Sequence, residues 1–122
     1  SNVHTANRWL LAVIVAEQQN QYNSPYLTVA YYPYIDCKGG YLEIIDNQRS
    51  NSKKEFNNII RLLDESTQVE RIKPITGRAV FYDSYRIHRV ARVYSGMREC
   101  LASSVWTNKP LTFNTKSSYN YK

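Results

Sequence analysis

Short apolar and β-branched runs, separated by turn residues, dominate this chain and predict strands. Leu10–Ala16 is apolar and β-branched, while Gln18–Pro25 is polar and reads as a loop. Tyr26–Tyr34 alternates and is rich in Tyr, Val and Thr, which suits a pleated, half-buried surface. The run from Asp36 to Gly40 predicts a turn, because its two glycines can take positive φ. Tyr41–Ile45 then returns as the second strand of a hairpin.

One segment breaks the strand pattern. Ser52, Lys53, Lys54 and Glu55 have capping-box spacing, and Phe56, Ile59, Ile60 and Leu63 follow at helical spacing. A short amphipathic helix over Lys53–Asp64 is expected, covering one face or end of a sheet. Strands resume at Val69–Ile72, Ala79–Tyr82, Arg89–Tyr94 and Glu99–Trp106, with turns at Pro74–Gly77 and Ser95–Gly96. The stretch from Thr107 to Lys122 is rich in Asn, Ser, Thr and Lys and reads as an exposed polar arm. About seven short strands with regular turn signals predict a mainly β fold, a sandwich or jelly roll, with one short inserted helix.

Composition narrows the class without naming a function. A chain of 122 residues suits one domain with one core. No apolar run approaches the ~20 residues that span a bilayer, so no membrane association is expected. No secretory signal is visible, and an intracellular, cytoplasmic location is the expectation. Cys37 and Cys100 lack CxxC spacing and read as free thiols. The net charge of +6 favours acidic partners, but the basic residues are scattered, so nucleic-acid binding is a minority reading. The 11 tyrosines read first as sheet packing and only second as a stacking platform for bases or sugars.

The chemistry concentrates in the run from Gly77 to Trp106. His88 at the end of one strand could bind a metal, and Arg98 on the next strand could clamp a carboxylate beside it. Gly77, the strand Ala79 to Tyr82, Ser84, His88, Val90, Val93, Gly96, Arg98 and Trp106 stand in a telling order. In order and spacing they resemble the second half of the 2-oxoglutarate- and Fe(II)-dependent oxygenase superfamily, closest to its prolyl-hydroxylase-like branch. Leu27–Tyr34, with Gly39, Gly40, Tyr41, Leu42, Glu43 and Ile44, is similar to the family's central hairpin. The resemblance covers most of residues 26–108, with Asn47–Glu70 as an insertion. It implies a double-stranded β-helix over residues 1–108, followed by the polar tail 109–122. It also implies Fe(II) and 2-oxoglutarate as cofactors, His88 as the distal iron ligand and Arg98 as the clamp on the far carboxylate. Tyr32 matches a co-substrate-contacting tyrosine, with Tyr31 and Tyr34 as close competitors. No catalytic residue is implied beyond the metal site. The activity implied is hydroxylation of an unidentified substrate.

The resemblance breaks at the first half of the iron triad. A His-x-Asp motif is expected, and His4, Thr5, Ala6 and Asn7 supply the histidine without the carboxylate. His4 is the implied second metal ligand; Ala6 cannot ligate. Three readings stand together. Family members with Ala or Gly here include halogenases, in which chloride takes the vacant coordination position. The site could instead be degenerate, leaving a non-catalytic jelly-roll binding module. Or the true motif lies elsewhere, since His4 is further from Tyr31 and Tyr32 than the family spacing. Asp36, Glu43, Asp46 and Asp83 read as turn or surface residues rather than replacement carboxylates. The family's upstream helices and strand have no counterpart before His4, which fits a fragment, a minimal member or half of an assembly.

Overall fold

The computed structural model describes residues 8–11, 26–50, 52–106 and 109–121. Along the chain run β1 (Leu27–Tyr31), β2 (Ile35–Gly39), β3 (Leu42–Arg49), α1 (Lys53–Arg61), β4 (Val69–Ile72), β5 (Ala79–Asp83), β6 (Arg86–Val90), β7 (Val93–Trp106) and β8 (Lys109–Tyr121). The strands form two antiparallel sheets. In the larger sheet β7 is the spine. Its first half pairs with β2 and its second half with β1, so those two strands lie end to end along one edge. β8 runs along the opposite edge of β7, and β5 flanks β1. The smaller sheet has the order β4-β3-β6. The chain therefore crosses from sheet to sheet: β3 and β4 in the smaller, β5 in the larger, β6 in the smaller, β7 and β8 in the larger.

Strand alternation decides what meets between the sheets. Leu42 and Ile44 of β3 face inward and pack with Ala30, Tyr32 and Val80 of the larger sheet. Ile45 points the other way, where it joins Leu11 and Ile87 in a second core. Phe56, Ile59, Ile60 and Leu63 of the helical segment pack on that second core. The smaller sheet is thus covered on its inner face and, around Ile45 and Ile87, on its outer face, and each fully buried aliphatic side chain there contributes roughly 1.5–3 kcal/mol by leaving water. The helix starts where the capping spacing predicts, with the Glu55 amide donating to Ser52 Oγ at 3.1 Å. It ends at Arg61, three residues short of the expected Asp64.

Several boundaries differ from the sequence expectation, each for a local reason. The expected strand Tyr26–Tyr34 is shortened to Leu27–Tyr31, and Pro33, which has no N–H, keeps the ladder from continuing. The expected turn from Asp36 to Gly40 is mostly strand β2, and Gly40–Tyr41 carries the chain into β3 of the other sheet, so the expected hairpin does not form: β3 pairs with β4 and β6. Ser95–Gly96 is no turn; both lie inside β7. Gly96 is needed there because a Cβ would stand 2.1 Å from the Asp36 carbonyl of the neighbouring strand. The turn falls instead at Ala91–Arg92, tied back by Ala91 N–H to Tyr41 O at 2.8 Å and Gly40 N–H to Arg92 O at 2.9 Å. The expected polar arm is β8, whose backbone pairs with β7 from Tyr121 opposite Gly96 to Lys109 opposite Trp106. The strand expected over Leu10–Ala16 lies mostly outside the described residues, but Leu10 makes an antiparallel bridge with His88. Among the described residues, no helix is long and apolar enough to cross a membrane.

Candidate functional site

Three of the four residues singled out in the sequence lie in one inward-facing neighbourhood. Tyr32 follows β1 and is 0% exposed, whereas Tyr31 and Tyr34 are 37% and 46% exposed. The alternation of β1 carries on to Tyr32, which joins buried Ala30 in the inner core while Tyr31 faces out. Arg98 sits on β7 opposite Ile35 and is 2% exposed. Cys100, two residues on, shares its face. The Arg98 guanidinium lies over the Tyr32 ring, 5.1 Å from its centroid, and its Nε donates to the Gly40 carbonyl at 3.0 Å. His88 lies on β6 directly opposite Ile44, so it too faces inward.

Tyr82 joins the two halves of this neighbourhood. Its ring meets His88 with centroids 5.0 Å apart and planes at 59°. It packs against the inner core beside Cys100, close enough to Tyr32 and Arg98 for their ionisations to be coupled. By its residue type alone, Tyr82 is one strand tyrosine among many. The signal was the period of two, which puts Tyr82 on the same face as buried Val80 and one strand turn before Ser84. Ser84 itself is buried and shares a 2.7 Å hydrogen bond with Thr28, holding the start of the β5–β6 turn against β1.

Burial sets the electrostatics. It pushes the Tyr32 hydroxyl up to about 12, with the Arg98 charge opposing it. It raises Tyr82 and Cys100 in the same way, and Arg98 opposes both. These groups are neutral at physiological pH, so Arg98 is the fixed charge of the neighbourhood. Among the described residues no carboxylate pairs with it. Tyr32 Oη is buried with no well-aligned hydrogen-bond partner, and the Arg98 guanidinium lies close enough to favour its ionised form. A guanidinium out of water costs several kcal/mol unless an anion compensates it, and an orphaned hydroxyl costs about 1–3 kcal/mol more.

Burial also lowers the pKa of His88. Its Nδ1 lies 3.2 Å from the Arg86 carbonyl. A carbonyl only accepts, so this contact selects the Nδ1–H tautomer and leaves the Nε2 lone pair available, the form that a metal-binding histidine takes. His4 and Ala6 lie outside the described residues, and among those described no three His, Cys, Asp or Glu side chains converge. Glu43, expected at a turn or the surface, is instead 7% exposed on the outer face of the smaller sheet. Asp46 pairs with Arg86 at 3.6 Å, and Asp83 accepts the Tyr85 amide at 2.8 Å in the β5–β6 turn. Cys37 and Cys100 are free thiols. In comparisons with known families, curated proteins and solved structures, no family model, protein or structure matches the chain.

Proposed function

We propose that this chain is a double-stranded β-helix domain of the 2-oxoglutarate- and Fe(II)-dependent oxygenase type, acting as a hydroxylase. Its inner site receives the far carboxylate of 2-oxoglutarate on Arg98, beside Tyr32. The observation that carries this reading is a buried arginine with no acidic partner among the described residues, next to a buried tyrosine hydroxyl that finds no acceptor. A carboxylate satisfies both at once through charge-assisted hydrogen bonds. The crossing of the chain between two facing sheets supports the double-stranded β-helix, and the Leu10–His88 bridge supports a further strand beside β6.

The iron half does not fit the described residues by themselves. His88 is their one imidazole, so an iron site needs donors from outside them, with His4 the expected one. One observation favours a second reading, a non-catalytic module that binds a carboxylate anion: the residue paired across from His88 is Leu10, which cannot ligate. Anaerobic titration with Fe(II) and 2-oxoglutarate separates the two. The oxygenase reading expects the weak visible charge-transfer band of the iron chelate. Metal-independent thermal stabilisation by 2-oxoglutarate, with no band, selects the binding module. Neither response removes both.

A further inference from the structure

A second polar site lies on the outer face of the smaller sheet, away from Arg98. It is a groove of about 550 Å³ at the end where the β2–β3 and β6–β7 turns meet. Its floor is Glu43, in register with Arg71 on β4 and Arg89 on β6. Both arginines engage Glu43 through Nε, at 3.0 Å and 2.7 Å. Their terminal guanidinium nitrogens make no hydrogen bond among the described residues. Arg92 is exposed on the β6–β7 turn and makes no ion pair among the described residues. Three guanidinium groups against one carboxylate leave two positive charges on the groove.

Aromatic rings stand between these charges. Arg71 lies 4.9 Å from the Tyr41 ring centroid and Arg92 lies 5.5 Å from that of Tyr94. Tyr94 is 66% exposed, a large apolar ring left in water. Guanidinium forks spaced among tyrosine faces are what a phosphodiester chain with flat bases requires: the forks take phosphate oxygens and the rings stack bases. An acidic peptide would use the charges, whereas a single strand of nucleic acid uses the charges and stacks its flat bases on the exposed ring as well. The chain's net charge of +6 adds a long-range attraction for the same partner.

We propose that this groove binds single-stranded nucleic acid, with Arg71, Arg89 and Arg92 on the backbone and Tyr94 stacking a base. Glu43 is the strut that holds two of the arginines in place. The proposal is independent of the inner site and does not require iron or 2-oxoglutarate. Arg92 and Tyr94 are suitable to vary, because both are exposed and neither holds the buried Glu43.

The test is fluorescence anisotropy of a labelled oligothymidylate with the full chain, across a salt series. Wild type should bind, with log affinity falling against log salt at a slope of roughly −2 for three phosphate contacts. Tyr94→Ala should weaken binding about tenfold or more, Tyr94→Phe should restore it, and Arg92→Gln should both weaken binding and reduce the slope. Circular dichroism of each variant confirms that it is folded. No binding by wild type, unchanged binding by folded Arg92→Gln or Tyr94→Ala, or displacement by polyglutamate as effective as by unlabelled oligonucleotide would each overturn the proposal.

Discussion

Replacing Arg98 with Met separates a functional charge from a structural one. The substitution keeps most of the side chain's length and removes the guanidinium. Lost with it are the charge-assisted hydrogen bond to the Gly40 carbonyl, about 1.5–3 kcal/mol, and the cation–π contact with Tyr32, about 2 kcal/mol. Gained is relief from holding a charge out of water with no carboxylate beside it among the described residues, several kcal/mol in the opposite direction. The two sides nearly cancel. Unliganded Arg98→Met should therefore fall within about 1–2 kcal/mol of wild type. The liganded state differs. A carboxylate at a hundred times its Kd stabilises wild type by about 2.7 kcal/mol. In a domain of this size that raises Tm by roughly 8–16 °C. Arg98→Met should lose this rise altogether. The assay is thermal unfolding followed by circular dichroism, with and without 2-oxoglutarate. If unliganded Arg98→Met is destabilised by about 4 kcal/mol or more, the arginine is a structural pillar and the argument from an unmet charge is refuted.

Three further predictions follow from neighbouring residues. Gly40→Ala puts a Cβ 2.9 Å from Arg98 Cδ at φ +74°, whereas Gly77→Ala meets nothing within 4 Å at φ +86°; both should lose about 1–2 kcal/mol to left-handed backbone, and Gly40→Ala a further 1–3 kcal/mol, read as urea midpoints. Burial depresses the pKa of folded His88, so below its ordinary value of 6.5 the unfolded chain takes up a proton that the folded chain resists. Stability should therefore decline as pH falls through that value, and His88→Gln should decline less between pH values of about 7.5 and 5.5 in thermal unfolding. Glu43→Gln leaves Arg71 and Arg89 facing each other without a counter-charge; since the Arg71 side chain is 60% exposed, the loss should be about 1–3 kcal/mol, with the urea m-value unchanged.

The elements with strong local signals were legible from the chain. The helix start at Ser52 is written in capping spacing, and the β-rich character in β-branched and aromatic runs. Turn glycines misled because a glycine has more than one use. Gly96 stands where a neighbouring strand approaches too closely for a Cβ, and nothing in its flanking residues distinguishes that from a turn. The tail misled because its polar composition suits an edge strand as well as an arm, and only the free edge of β7 chooses between them. Among the site residues, Arg98, His88 and Tyr32 stood out by type and spacing, whereas Tyr82 did not, since its role comes from the ring it meets across the turn.

Local chemistry thus settled which residues could form strands, where the helix is capped and which side chains carry charge or ring nitrogens. Those properties depend on a few covalent neighbours and a short period. Which of three clustered tyrosines turns inward, that Arg98 is buried, and that Glu43 binds two arginines from strands far apart in the chain were decided by the pairing of the sheets. Register and burial are cooperative, long-range quantities: Glu43 meets Arg71 and Arg89 only because β4 and β6 flank β3 in register, and the dielectric around Arg98 is set by the packing of both sheets.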